Sequence, residues 1–169
     1  VVVPAGCRLQ WFTETGSFFD EGRQDLCGVT RGQFIVRVHR DSNGDQTLLL
    51  ESGEQLRLND TDALVWRRPP PAGVDVGLDL KIDSLGRPVF AGQSTTDDEW
   101  VVWSVDATGE EVYAFSLPQA DLECLSVFPG RDGDLHVAGH SKNGFGGRRR
   151  PRGQEDIILL RNPQVLFGR

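Results

Sequence analysis

VGLDLKIDSLGRPVFAGQS, residues 76 to 94, is the stretch on which the fold turns. Val76, Leu78, Leu80 and Ile82 alternate with Gly77, Asp79 and Lys81, and a period of two places the apolar set on one face of a half-buried strand. Asp83-Ser84-Leu85-Gly86 then supplies a turn, because an aspartate hydrogen-bonds nearby backbone and a glycine takes positive φ without steric cost. PVFAG, residues 88 to 92, is the return strand.

A second copy lies downstream. ECLSVFPGRDGDLHVAGHS, residues 123 to 141, matches the first at an offset of 47: Leu78 meets Leu125, Gly86 meets Gly133, Ala91-Gly92 meets Ala138-Gly139 and Ser94 meets Ser141. Each hairpin is followed by acids and then an apolar run, DDEWVVWSV at 97 to 105 and QEDIILLR at 154 to 161, and a related run, DTDALVWRR, stands at 60 to 68. Residues 100 to 105 lead through the turn Asp106-Ala107-Thr108-Gly109 into EEVYAFSL, and FIVRVHRDSNGDQTLLL, residues 34 to 50, repeats the strand, Asp-x-x-Gly turn and strand order. Helical periodicity is absent.

The chain therefore reads as all-β, an array of four-stranded antiparallel meanders in a single domain spanning 1–169. One meander covers 74–117 and a second 121–167, with degenerate relatives over 30–73. Residues 1–29, with Trp11, Phe12, Phe18 and Phe19, do not align and read as an N-terminal cap or extra strands.

A meander of about this length that carries Asp-x-x-Gly, an Ala-Gly strand end, an acid and an aromatic-aliphatic strand resembles the bacterial β-propeller repeats of SBBP type. The pattern is borne by Asp83, Gly86, Ala91, Gly92 and Trp100 to Trp103, and again by Gly133, Ala138, Gly139 and Asp156 to Leu160. The second copy departs from it at Gly130, where the counterpart of Asp83 would stand. The resemblance implies a blade array used for binding or scaffolding in secreted, periplasmic or surface proteins, with no shared catalytic residue. Division of 169 residues by the offset of 47 gives about 3 to 4 blades, so the array is either rounded off by its N-terminal region or open, and an open one exposes strand edges that call for a partner.

Composition agrees with a globular protein, with 38% hydrophobic and 25% charged residues. A net charge of −7 opposes general adhesion to nucleic acid or anionic membrane. No run approaches the roughly 18 to 20 apolar residues that span a bilayer. The sequence holds no Met and begins VVVPAGC, so it reads as a processed protein or a piece of a longer one. Cys7 and Cys27 would form a disulfide in an oxidising compartment and leave Cys124 free; three reduced, buried thiols are the alternative.

The sharpest local anomaly is KNGFGGRRRPRGQ, residues 142 to 154. Aligning Glu99 with Asp156 raises the offset from 47 to 57, so ten residues are added between the second and third strands of the last meander. Lys142, Arg148, Arg149, Arg150 and Arg152 form a ligand-binding candidate with no acid among them, and the rest of the chain keeps 13 basic residues against 25 acids. Arginine offers a planar fork to phosphate, sulfate or carboxylate; the plain alternative is a solvated loop insertion.

Weaker candidates follow. Asp41, Asn43 and Asp45 present oxygens at alternate positions, as a calcium loop does, yet Gln46 and Leu49 break the pattern and a hairpin turn accounts for it better. Calcium is thus the one cofactor to consider. His136 and His140 share a strand face without an identifiable third ligand. Asp62, Glu99 and Asp156 recur before strands, where turn capping is the economical role, and no nucleophile, P-loop or dinucleotide motif appears.

The reading that results is a non-catalytic propeller-type binding or scaffold module for a protein partner or neighbouring blades, with the arginine loop as its contact. The competing reading is a carbohydrate-binding or glycan-hydrolysing propeller in which Trp66, Trp100 or Trp103 stacks on sugar.

Overall fold

The same turn, built four times, sets the architecture. At Asp41, Asn59, Asp83 and Asp106 the side-chain Oδ1 accepts hydrogen bonds from the amides two and four residues on, as Asp83 does from Leu85 (2.9 Å) and Arg87 (2.8 Å). The amide of the fourth turn residue closes onto the carbonyl of the first, and that residue is left-handed in each case: Gly44, Asp62, Gly86 and Gly109 have φ of 90°, 64°, 77° and 84°. These are three-residue hairpin loops, which reverse the chain between adjacent antiparallel strands. Asp62 was expected to cap; it holds the left-handed position instead, and Asn59 is the cap. In the last repeat Gly130 donates to the Asp134 carbonyl at 2.6 Å, so this backbone bond of the turn forms at a position that has no capping side chain. Asp83→Ala is accordingly expected to lower stability by about 1 kcal/mol, the usual worth of a lost side-chain cap, as read by urea denaturation.

The computed structural model describes residues 9–12, 18–22, 29–118, 126–130, 134–141 and 156–161. The chain divides into two compact units, Val1–Phe34 and Ile35–Arg169. In the first, β1 (Leu9–Phe12) pairs antiparallel with β2 (Phe18–Gly22).

The described residues of the second unit form three antiparallel meanders. β3 (Ile35–Arg40), β4 (Gln46–Leu50), β5 (Gln55–Leu58) and β6 (Leu64–Arg68) form one four-stranded sheet, and β7 (Val76–Ile82), β8 (Pro88–Ser94), β9 (Glu99–Val105) and β10 (Glu111–Pro118) form another. β11 (Ser126–Pro129), β12 (Leu135–Ser141) and β13 (Asp156–Arg161) make the described part of a third. Within each sheet every strand neighbours the next in sequence, and the first strands pack side by side, β7 lying against both β3 and β11. No described helix is long and apolar enough to cross a membrane.

Side chains alternate across the middle sheet and so supply two cores. Val89, Ala91, Trp100, Val102, Phe115 and Leu117 pack with Val127, Leu135 and Val137 of the third sheet. Phe90, Val101, Trp103 and Val105 point the other way, onto Leu49 and Trp66 of the first sheet. A sheet buried on both faces needs apolar residues at successive positions, which is why EWVVWSV and the fully buried Leu48-Leu49-Leu50 read as runs instead of alternations.

Glycine allows the sheets to approach. A Cβ on Gly77 would lie 2.3 Å from the Leu50 carbonyl oxygen of the first sheet; Gly92 is crowded within its own sheet, where a Cβ would lie 2.7 Å from the Val76 carbonyl oxygen and 3.0 Å from Trp103 Cζ3. Both first strands carry an extra residue at the same place. β3 pairs Ile35 with Leu50 and Arg37 with Leu49, skipping Val36; β7 pairs Gly77 with Gly92 and Asp79 with Ala91, skipping Leu78. The bulge turns Arg37 towards the buried Asp79, 3.3 Å away.

Candidate functional site

Two features of the middle of the chain have the build of sites, a connection face and a cleft between sheets. The connection face forms because strands two and three of each sheet join at the end where the chain crosses to the next sheet. In the middle sheet the 95–98 connection stands against the incoming 69–75 segment: the Thr95 amide donates to Asp75 Oδ1 (3.2 Å), its hydroxyl donates to the same carboxylate, and a Cβ on Gly73 would lie 3.1 Å from Asp97 Oδ2.

Register then locates the insertion. Ser94 pairs with Glu99 and Gly92 with Val101 in the middle sheet; Ser141 pairs with Asp156 and Gly139 with Ile158 in the last. The strand partners are equivalent residue for residue, so all ten additional residues fall in the 142–155 connection. Lys142, Arg148, Arg149, Arg150 and Arg152 themselves lie outside the described residues, as do Cys7, Cys27 and Cys124.

The cleft lies between the first and middle sheets. Gln55 and Arg68, paired across β5 and β6, form one wall; Trp103 and Val105 on β9 with Gly109, Glu110 and Glu111 form the other. Pro69-Pro70-Pro71 closes one end, because proline has no N–H to extend a ladder and the chain must leave the sheet there. The volume of the open cleft is about 280 Å³. Turn 106–110 is stitched onto β6, with Trp66 Nε1 donating to the Ala107 carbonyl (3.1 Å), and Arg68 Nη2 donating to Glu110 and to the Thr108 carbonyl (3.5 Å).

Three polar atoms of the cleft's own side chains are buried without a hydrogen-bond partner: Gln55 Oε1, Arg68 Nε and Trp103 Nε1. Gln55 Nε2 is engaged, donating to the carbonyls of Pro69 (3.2 Å) and Gly53 (3.4 Å), which fixes the amide with its oxygen unmatched. Two donors and one acceptor thus belong to residues that line one cleft. Sequence reasoning missed Gln55, Arg68 and the proline run, whose only legible signal was PPP directly after an apolar strand.

Asp41 and Asp45, two of the three calcium candidates, both meet Arg57, whose Nη2 stands 2.5 Å from Asp41 Oδ2 and 3.1 Å from Asp45 Oδ2. Asn43 enters through its backbone amide, which donates to Asp41 Oδ1. Burial pushes the Asp41 carboxyl up, but the Arg57 guanidinium and the Asn43 and Asp45 amides outweigh it and hold the group below its ordinary range. The neighbouring His39 is lowered, chiefly by burial, with Arg57 adding to it against the pull of Asp41. Among the described residues no cluster of three or more His, Cys, Asp or Glu side chains is placed to hold a metal. His136 is half-buried on β12, where its backbone pairs with Phe128 and Arg161, and His140 pairs with Ile157.

Other acids are tied to structure as well. Glu54 forms a two-pronged pair with Arg67 at 2.5 Å, Asp83 bonds Arg87, and Asp79 bonds Arg37. Trp66, Trp100 and Trp103 are 9%, 5% and 1% exposed, so their rings belong to the cores.

No protein-family model and no curated protein sequence matches the chain. Among solved structures it is similar to a streptogramin B lyase, with a TM-score of 0.51 and 12% identity over 90% of this chain and 47% of that one. The chain thus spans about half the length of that neighbour, and at this identity the likeness concerns fold alone. Antiparallel four-stranded sheets side by side, with a β-propeller enzyme as structural neighbour, make this an all-β, propeller-like fold.

Proposed function

We propose that the chain is a non-catalytic, propeller-type binding module that engages an acidic protein surface through the arginine-rich connection at 142–154, as part of a larger assembly. The observation that carries this reading is the strand register. Equivalent residues pair on either side of the connection, so the ten added residues fall between the two strands in sequence and bring five cations to a chain otherwise at −12. Opposite charge on a partner would be drawn to that segment and repelled elsewhere, which gives orientation as well as attraction. The binding reading gains further support over a sugar-active one from the three buried tryptophans and from the carboxylates committed to arginines and turns.

Replacing Arg148, Arg149, Arg150 and Arg152 by Ser is expected to leave the unfolding midpoint unchanged and to weaken binding to partners captured from native extract about 30-fold, at ~0.5 kcal/mol per arginine. Raising ionic strength from about 0.05 to about 0.5 M should weaken the parent protein and spare the variant. Calorimetric titration checks both; equal affinities at low salt would sink the proposal.

A further inference from the structure

The cleft between the first and middle sheets carries a chemistry of its own, set by the residues that line it. Native interiors leave few polar atoms unmatched, since each forfeits its hydrogen bonds to water and gains none in return. Among the described residues four buried side-chain atoms lack a partner, and three of them, Gln55 Oε1, Arg68 Nε and Trp103 Nε1, belong to residues that line this one cleft. Their hydrogen-bonding is complementary, an acceptor and a donor from cross-strand neighbours on the first sheet and a donor from the sheet opposite.

From these atoms we infer that the cleft is a binding site for the amide unit of a small or peptidic ligand, its carbonyl oxygen accepting from Trp103 and Arg68 and its N–H donating to Gln55. Charge favours a neutral group over a carboxylate: Arg68 is already paired with Glu110, and Glu111 adds a second acid to the lining. The prolines, Val105 and the face of Trp103 would hold the apolar flanks of such a ligand. Arg68, with 41% of its side chain exposed and its pairing to Glu110 on the solvent side, is the group that moves to admit it.

The test uses N-methylacetamide, methyl acetate of the same shape without the N–H, and acetate, each titrated into the full chain labelled with ¹⁵N. Trp103 Nε1–H is followed after assignment with Trp103→Phe. N-methylacetamide should shift this resonance saturably, with a dissociation constant on the order of 10 mM for so few atoms. Methyl acetate should bind about tenfold more weakly, because it leaves Gln55 Oε1 unmatched. In Gln55→Leu the two should bind alike, with the other indole signals reporting that the fold is kept. Equal response of the parent protein to all three probes, or to none of them, overturns the inference. An amide preference that survives in Gln55→Leu overturns the role given to Gln55.

Discussion

Trp103→Ala is expected to lower the unfolding free energy by about 3–5 kcal/mol, the cost typical of truncating a large buried aromatic. The indole is 1% exposed and stacks on Phe90 with ring centroids 5.4 Å apart and planes 18° from parallel. It also belongs to the apolar cluster that ties the middle sheet to Leu49 and Trp66 of the first, so the void would open between sheets. Trp103→Phe should cost far less, about 1 kcal/mol, since it keeps a ring against Phe90 and removes an N–H that has no partner. Urea denaturation followed by far-ultraviolet circular dichroism separates the two. A loss below about 1 kcal/mol for the alanine variant would mean that the sheets are held together elsewhere.

Gly77→Ala is expected to cost about 3 kcal/mol, at the upper end for a single added methyl group. The Gly77 amide donates to the Glu51 carbonyl at 2.7 Å, which brings β7 hard against the connection leaving β4. An added Cβ would meet the Leu50 carbonyl oxygen, a backbone atom that cannot rotate aside, and both strands would have to part. Gly86→Ala is the control: its φ of 77° is strained for alanine, but nothing lies within 4 Å, so it should cost only about 1 kcal/mol. If thermal melts show the two variants equally affected, contact with the Leu50 carbonyl is not what requires the glycine at 77.

The all-β class, the middle meander and the three described strands of the last one were legible because their signals are local. Asp83 and Gly86 mark a hairpin whatever surrounds them, and the offset of 47 from Ala91-Gly92 to Ala138-Gly139 carried through to equivalent pairings, with Val102 and Leu159. The first sheet was read only as degenerate because no single offset aligns it. Asp41 and Gly44 precede Asp83 and Gly86 by 42, whereas Asn59 precedes Asp106 by 47, the hairpin of β8 and β9 being five residues longer than that of β4 and β5. The cleft was not legible at all, since Gln55 and Trp103 are 48 positions apart and neither has an unusual sequence neighbourhood.

The sequence by itself determined strand, turn and repeat, because alternation, Asx caps and left-handed glycines act over five residues or fewer. It also located the arginine insertion, because a break in a repeat is visible without coordinates. Only the tertiary structure decided which glycines are contacts between sheets, which acids are already paired with arginine, and that three unmatched polar atoms belong to residues lining one cleft. Those facts depend on how sheets pack face to face, and packing joins residues whose separation along the chain carries no pattern.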